Sequence, residues 1–370
     1  MFTSVNYNCK QKVVYFCVMN DISQKSLENW YLENYENKIS GRRILLENIE
    51  PIIKSLQPPF VVEKLGASEE HQNIYKITLG EGPKKILLWS QMHGNESTGT
   101  KSLFDLFKYI EAFRSQPFVN DLLQKCTLVF VPMLNPDGAK YFTRVNTNGI
   151  DLNRDAVERK AKESLLLRNL LDTFDPHFCF NLHDQRTIFN VEGFKNPATI
   201  SFLAPSIDEE RTLTLGRKET MAVIVAMNKT LQKIIPNYIG RYTDEFYPTA
   251  TGDNFQKLGH NTILIEAGHY HGDYEREMVR KYNFYALLSG LDYLVTHDVY
   301  EEYEDYFKIP NNGKQNFDFI LRDFVDDKNN KIDIAFQYDY KVVNNDLVSY
   351  LIEQQRGDLS TFNAYNEFKK

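Results

Sequence analysis

Short apolar runs bounded by turn-forming residues alternate along this chain with longer segments whose apolar residues recur at helical spacing. After residues 1–23, read as an N-terminal extension, a polar and aromatic stretch leads to a helix over 49–56. Asn48 is placed to cap it, and Pro51 falls in its first turn, where a missing N–H costs nothing. Extended segments are predicted near 60–65, 73–79 and 85–90, separated by Gly66-Ala67-Ser68 and Gly80-Glu81-Gly82-Pro83. The third, Ile86-Leu87-Leu88-Trp89, is apolar on both faces, as a central strand of a covered sheet should be.

From there strands and helices take turns. Leu103, Leu106, Phe107 and Ile110 keep helical spacing. Residues 127–131 form a buried strand that ends at Asn135-Pro136-Asp137-Gly138, a turn signal. A helix over about 157–173 stops at Asp175-Pro176, and 178–182 is the next strand. A long helix over about 209–235 ends at Pro236; Ile263-Leu264-Ile265 is a further buried strand, and 279–294 a further helix. Beyond about residue 304 the period becomes two. Phe317, Phe319 and Leu321, then Ile332, Ile334, Phe336, Tyr338 and Tyr340, read as a small antiparallel β unit.

Composition narrows the partners. The 370 residues are 42% hydrophobic and 25% charged, ordinary for a globular chain. The net charge of -7, with no long run of one sign, argues against nucleic acid and against a polybasic membrane contact. Small molecules or peptides remain. Cys9, Cys17, Cys126 and Cys179 are too few for a disulfide scaffold and contain no C-x-x-C pair, so a reducing, cytoplasmic setting is expected. The apolar run at 13–19 lacks a small-x-small cleavage site and is too short to span a bilayer.

Three strand ends carry candidate chemistry. His93-Gly94-Asn95-Glu96 lies between an apolar strand and a helix, which puts His93 at the strand tip and Glu96 in the first helical turn. Alone the spacing is weak: 8 His and 50 acidic residues give about one H-x-x-[DE] by chance, and a capped helix start with a solvent-facing His would look the same. His183, however, follows the strand ending at Leu182, and Glu266 follows Ile265. Ligands of open α/β sheets bind beyond the carboxyl ends of the strands. His93, Glu96 and His183 are then a zinc ligand set with one position open, the catalytic pattern. Glu266 beside it is suited to pass protons. The irregular stretch from Arg144 to Arg154 could be a solvated loop; beside such a site its guanidinium and amide groups can stabilise an oxyanion or clamp a carboxylate.

The series HGNE, NPDG, R-x-N-x-x-G-x-D-L-N-R, a strand ending in His and a strand ending in Glu closely resembles the zinc metallocarboxypeptidases of carboxypeptidase A and B type, over roughly residues 60–295. The resemblance implies one zinc per chain on His93, Glu96 and His183, with Arg144 stabilising the oxyanion and Glu266 as general base. It also implies that Asn153 and Arg154 hold the substrate's terminal carboxylate, and that a mobile tyrosine closes over it. Tyr247 is the match, with Tyr242 as its rival. Pattern and resemblance together predict an α/β/α sandwich around a mixed, mainly parallel sheet over 24–303, and a small β-rich domain over 304–370.

Two departures bear on substrate. The Glu96–His183 interval is shorter than in the digestive enzymes and nearer the aspartoacylase and succinylglutamate-desuccinylase branch, which also carries a β-rich C-terminal domain. His183 is followed by Asp184-Gln185 rather than by the serine common in digestive enzymes. The expected function is hydrolysis of the amide bond before a C-terminal residue. The alternatives are deacylation of small N-acyl amino acids and a binding relative without catalysis, although a dead relative would usually lack Glu266 or Arg144. His269-Tyr270-His271 reads as a rim or supporting element rather than a second metal site. His71, His177, His260 and His297 offer no ligand spacing.

Overall fold

The apolar run at 86–89 becomes the middle of a sheet covered on both faces. The computed structural model describes residues 24–369; the N-terminal extension, with its apolar run, Cys9 and Cys17, lies outside the described residues. The first elements are α1 (Gln24–Asn34), α2 (Leu46–Ser55), β1 (Val61–Ala67), β2 (Asn73–Leu79), β3 (Lys84–Ser90), α3 (Thr98–Ala112), α4 (Pro117–Lys125), β4 (Cys126–Val131) and α5 (Pro136–Tyr141). Next come α6 (Lys162–Phe174), β5 (Phe178–Asp184), β6 (Phe189–Val191), β7 (Ile200–Leu203), α7 (Leu215–Ile234), β8 (Ile239–Arg241), α8 (Thr251–Lys257), β9 (Asn261–Ala267) and α9 (Glu277–Thr296). The last strands are β10 (Asn312–Lys314), β11 (Asn316–Val325), β12 (Lys331–Val343), β13 (Asp346–Gly357) and β14 (Asn363–Lys369).

Eight strands form one mixed sheet in the order β1-β2-β4-β3-β5-β9-β7-β8. Its centre, β4-β3-β5-β9, is parallel. Alternation along each central strand divides the core in two. Ile86, Leu88, Phe180 and Ile265 face the larger cluster with α1, α2, α3, α4, α7 and α9, whereas Leu87, Trp89 and Cys179 face α6 and α8. Full burial of such side chains contributes about 1.5–3 kcal/mol each. This is the expected α/β/α sandwich.

Local chemistry moved several boundaries. α2 starts at Leu46, with Asn48 at its third position; the Asn48 amide oxygen accepts the Leu45 N–H at 2.8 Å. Pro51 therefore stands in the second turn and deprives the Glu47 carbonyl of its helical partner. Asn135-Pro136-Asp137-Gly138 is not a turn but the start of α5: Asn135 accepts the Gly138 N–H at 2.8 Å and Pro136 opens the helix. α6 begins at Lys162 because the Asp155 carboxylate takes the N–H groups of Lys160 and Ala161, each at 2.9 Å. α7 waits for the Thr214 hydroxyl, which accepts the Arg217 N–H at 3.2 Å.

β11, β12 and β13 pair antiparallel as expected, but β14 joins β11 in parallel, completing a four-stranded sheet in the order β13-β12-β11-β14. Tyr306, just before it, is buried in the main core, and its hydroxyl accepts the Ala204 N–H at 3.1 Å. The sheet is tied to the sandwich through Asp318, which accepts the Thr187 and Tyr274 hydroxyls at 2.9 and 3.1 Å, and through the Tyr365 hydroxyl, which donates to the Thr187 carbonyl at 2.9 Å. β10 also pairs with β6. Among the described residues no helix is long and apolar enough to cross a membrane.

Candidate metal centre and active-site cavity

The carboxyl ends of β3, β5 and β9 open on one cavity of about 510 Å³. His183 and Glu266 are the penultimate residues of β5 and β9 rather than residues just beyond them, and they stand opposite each other in register. Parallel neighbours lie about 4.8 Å apart, so the two side chains share one face of the sheet. His93 is reached differently. Gln91 turns the chain off β3 with φ of +50°, and its buried amide donates to the Ile44 and Gly94 carbonyls, both at 2.9 Å. Glu96 sits in this loop, two residues ahead of α3, not in its first turn.

Gly94 allows the loop to lie against α5. A Cβ there would fall 1.9 Å from the Gly138 carbonyl carbon, so the HGNE and NPDG segments touch backbone to backbone.

The three proposed ligands converge. His93 Nδ1 is 2.9 Å from one Glu96 oxygen, His183 Nδ1 is 2.9 Å from the other, and the two Nδ1 atoms are 3.2 Å apart. Two imidazoles and a carboxylate, with donor atoms all within 4.8 Å of one another, form a donor set that fits zinc. His93 Nε2 meets Asp151 Oδ1 at 3.0 Å, the carboxylate support that fixes a ligand imidazole's tautomer and orientation. Burial opposes charge on His93, but Glu96 and Asp151 outweigh it and push its pKa up to about 9. Burial also opposes charge on Glu96, and both imidazoles overcome it, holding the carboxyl well below its ordinary range. Burial dominates at His183 and lowers it. At Glu266 burial, and next the Glu96 charge, push the carboxyl up to about 8.

Arg144 spans the site, donating from Nε to Asp151 at 2.9 Å and from Nη1 to Glu96 at 3.3 Å. Asn153 lies in a short 3-10 turn, and its Oδ1 accepts the Thr251 N–H at 3.0 Å. That leaves its amide nitrogen as the end available to a ligand. Arg154 donates to the Asn153 carbonyl at 2.8 Å, and its Cζ lies 5.4 Å from the Tyr247 ring centre. Tyr247 is exposed, with its hydroxyl donating to Glu245 at 3.0 Å. Tyr242, also on the cavity wall, packs 5.4 Å from Phe189, and burial pushes its phenol up to about 12. All nine site residues singled out from the sequence, Tyr242 included, line this cavity. Asp151 went unassigned, although the arginine motif contains it.

The other histidines stand apart. His269 is not on the rim: it is buried between Tyr274 and Tyr365, at 4.8 and 4.4 Å between ring centres, with neither ring nitrogen hydrogen-bonded. Among the described residues only His93, Glu96 and His183 group as metal ligands. His177 Nδ1 accepts the Lys85 N–H at 3.1 Å, and His260 Nδ1 lies 2.8 Å from the Pro176 carbonyl.

Residues 53–277 match the family described as zinc carboxypeptidase, more than half of the chain. The chain belongs to the zinc carboxypeptidase family. Carboxypeptidase 2 of Trichophyton tonsurans is 31% identical over 102 residues, 27% of this chain and 19% of that protein. The chain thus spans about a fifth of the length of the first curated relatives it matches. Bovine thrombin-activatable fibrinolysis inhibitor, solved with a tick carboxypeptidase inhibitor, superposes with a TM-score of 0.56 at 13% identity, over 71% of this chain and 99% of that one. Carboxypeptidase A of Helicoverpa armigera gives 0.55 at 12% identity, over 74% and 80%. At such identities these two likenesses establish the fold. The sheet of β11–β14 falls outside the family match.

Proposed function

We propose that this zinc carboxypeptidase family member hydrolyses the amide bond before a C-terminal residue that carries a free carboxylate. The observation that carries the reading is the convergence of His93, Glu96 and His183 in the cavity that Glu266, Arg144, Asn153 and Arg154 also line. Zinc held by the three ligands would supply Lewis acidity, polarising a carbonyl and acidifying water. The Asn153 amide and the Arg154 guanidinium grip the terminal carboxylate and so set which bond lies over the floor. Glu266 takes the proton of the attacking water and returns one to the leaving amine. Burial raises its carboxyl and a cation held by the three ligands would lower it, which suits it to both transfers. Arg144 stabilises the oxygen on which negative charge develops.

The test compares a peptide with its C-terminal amide. A charge-assisted bidentate contact contributes about 1.5–3 kcal/mol, so amidation should lower kcat/KM at least about tenfold. Arg154→Met should remove most of that difference by injuring the free acid, and a chelator should abolish both activities. Equal rates on acid and amide would refute the carboxylate grip. If peptides are inert while N-acetyl or N-succinyl amino acids turn over, the enzyme is a deacylase instead.

A further inference from the structure

The cavity is larger than the chemistry at its floor requires. At about 510 Å³ it falls in the range that encloses a drug-sized ligand, enough for chain on both sides of a scissile bond. Its charges divide into two groups. Arg144 is engaged with Asp151 and Glu96, Arg276 lies 3.9 Å from Asp184, and Arg154 bonds the Asn153 carbonyl. The carboxylates of Glu245 and Asp253 are occupied at the Arg154 end, accepting the Tyr247 hydroxyl and N–H at 3.0 and 3.2 Å.

Arg42, Arg186 and Lys314 also line the cavity, and, like Arg154, which is assigned above to the terminal carboxylate, none of them forms an ion pair with a carboxylate among the described residues. Arg42 arrives from the loop before α2; its guanidinium lies 4.6 Å from the Tyr340 ring, its Nη1 donates to the Tyr274 carbonyl at 3.4 Å, and its buried Nε has no partner. Arg186 is exposed, two residues beyond the end of β5. Lys314, exposed on β10, pairs in register with Phe189 of β6 and holds its ammonium 5.8 Å from that ring. Three distant parts of the chain bring like charges to one cavity, in a protein whose net charge is -7.

We propose that Arg42, Arg186 and Lys314 form a subsite for carboxylate side chains in the residues preceding the scissile bond, so that the preferred substrates are acidic peptides. This assignment rests on the carboxypeptidase reading above. With the terminal carboxylate on Asn153 and Arg154, the preceding residues would extend along the rest of the cavity wall, which includes Asn95, next to Glu96, and Gln185, two residues after His183. There they meet the three cations. Exposed charge pairs are individually weak and screened by salt, so the preference should be about five- to tenfold and should shrink at high salt.

The experiment uses the full chain, zinc-loaded and carrying Glu266→Gln, so that peptides bind without turnover. Dissociation constants are measured by calorimetry for N-acetyl peptides with Glu-Glu, Ala-Ala or Lys-Lys before one common set of C-terminal residues. The Glu-Glu series should bind about tenfold tighter than the Lys-Lys series at low salt. Arg186→Glu with Lys314→Glu should reverse the order, and Arg186→Gln with Lys314→Gln should level it; both positions are exposed, so these variants should melt with the parent. Equal affinity for the three series, no binding of any, or an order unchanged by the charge reversal would overturn the subsite. Release of the C-terminal residue by the wild-type protein is scored separately. An acidic preference in binding with no release from any peptide would remove the carboxypeptidase reading and leave the subsite standing.

Discussion

His93 is held from two sides: Nδ1 faces Glu96, and Nε2 rests 3.0 Å from Asp151. Asp151 also accepts the Arg144 Nε at 2.9 Å and the Asn153 N–H at 2.9 Å, so one carboxylate orients the proposed ligand, the proposed oxyanion partner and the turn proposed to bind substrate. Asp151→Asn keeps the shape but loses the charge that fixes the His93 tautomer. Zinc affinity should fall about 10–100-fold, read by competition against a chromophoric chelator; unaltered affinity would free Asp151 of this role. In the sequence His93, Glu96, His183 and Glu266 were recognisable because each lies at or near the end of an apolar run. Asp151 stands in an irregular loop 58 positions from His93, where no periodicity connects it to its partner.

At the scale of elements, the His93–Glu96 loop and α5 act as one unit. Asn135 caps α5 by accepting the Gly138 N–H, while its amide donates to the Met92 carbonyl at 3.1 Å, beside His93. Gly94 meets Gly138 where no side chain fits, since the clashing atoms are backbone. Gly94→Ala must therefore push the His93–Glu96 loop off α5. Overpacking of this kind costs about 1–3 kcal/mol, so a lower melting temperature is expected together with zinc loss. Full zinc occupancy and an unchanged melt would show that the two segments move independently. The NPDG motif was legible as a stop to β4. Whether Asn-Pro-Asp-Gly turns or caps a helix depends on the surfaces that the next residues meet, and here α5 packs on the His93–Glu96 loop.

At the scale of the molecule, the four-stranded sheet closes over His269. Burial, then Arg276, Arg42 and His271, hold this imidazole down at about 3, and the Tyr274 and Tyr365 rings enclose it. Its unfolded value is about 6.5, so the folded state binds fewer protons. The associated stability is complete above about pH 6.5 and is lost as pH falls toward 3, at up to about 1.4 kcal/mol per unit. Between pH 6.5 and 5 the loss attributable to His269 is about 2 kcal/mol. Hydrogen exchange of the β11 and β14 amides should accelerate over that interval in the wild type and markedly less in His269→Phe. Equal acceleration in both proteins would exclude His269 as the acid-sensitive contact.

The central strands, the longer helices packed on them and the candidate site residues at the strand ends were legible in the sequence alone, because apolar periodicity and strand termini are local properties of the chain; α1, α4, α5, α8, β6, β7, β8, β10, β13 and β14 were not. Helix starts were less accessible: Asp155 and Thr214 set them through side-chain bonds to backbone N–H groups that propensity does not register. Only the tertiary structure decided that β14 pairs in parallel with β11, that His269 is buried rather than at the rim, and that Arg42, Arg186 and Lys314 share a cavity with His93, Glu96 and His183. Each of these joins residues far apart in the chain. Such contacts are fixed by which surfaces pack together, not by the spacing of residues along either segment.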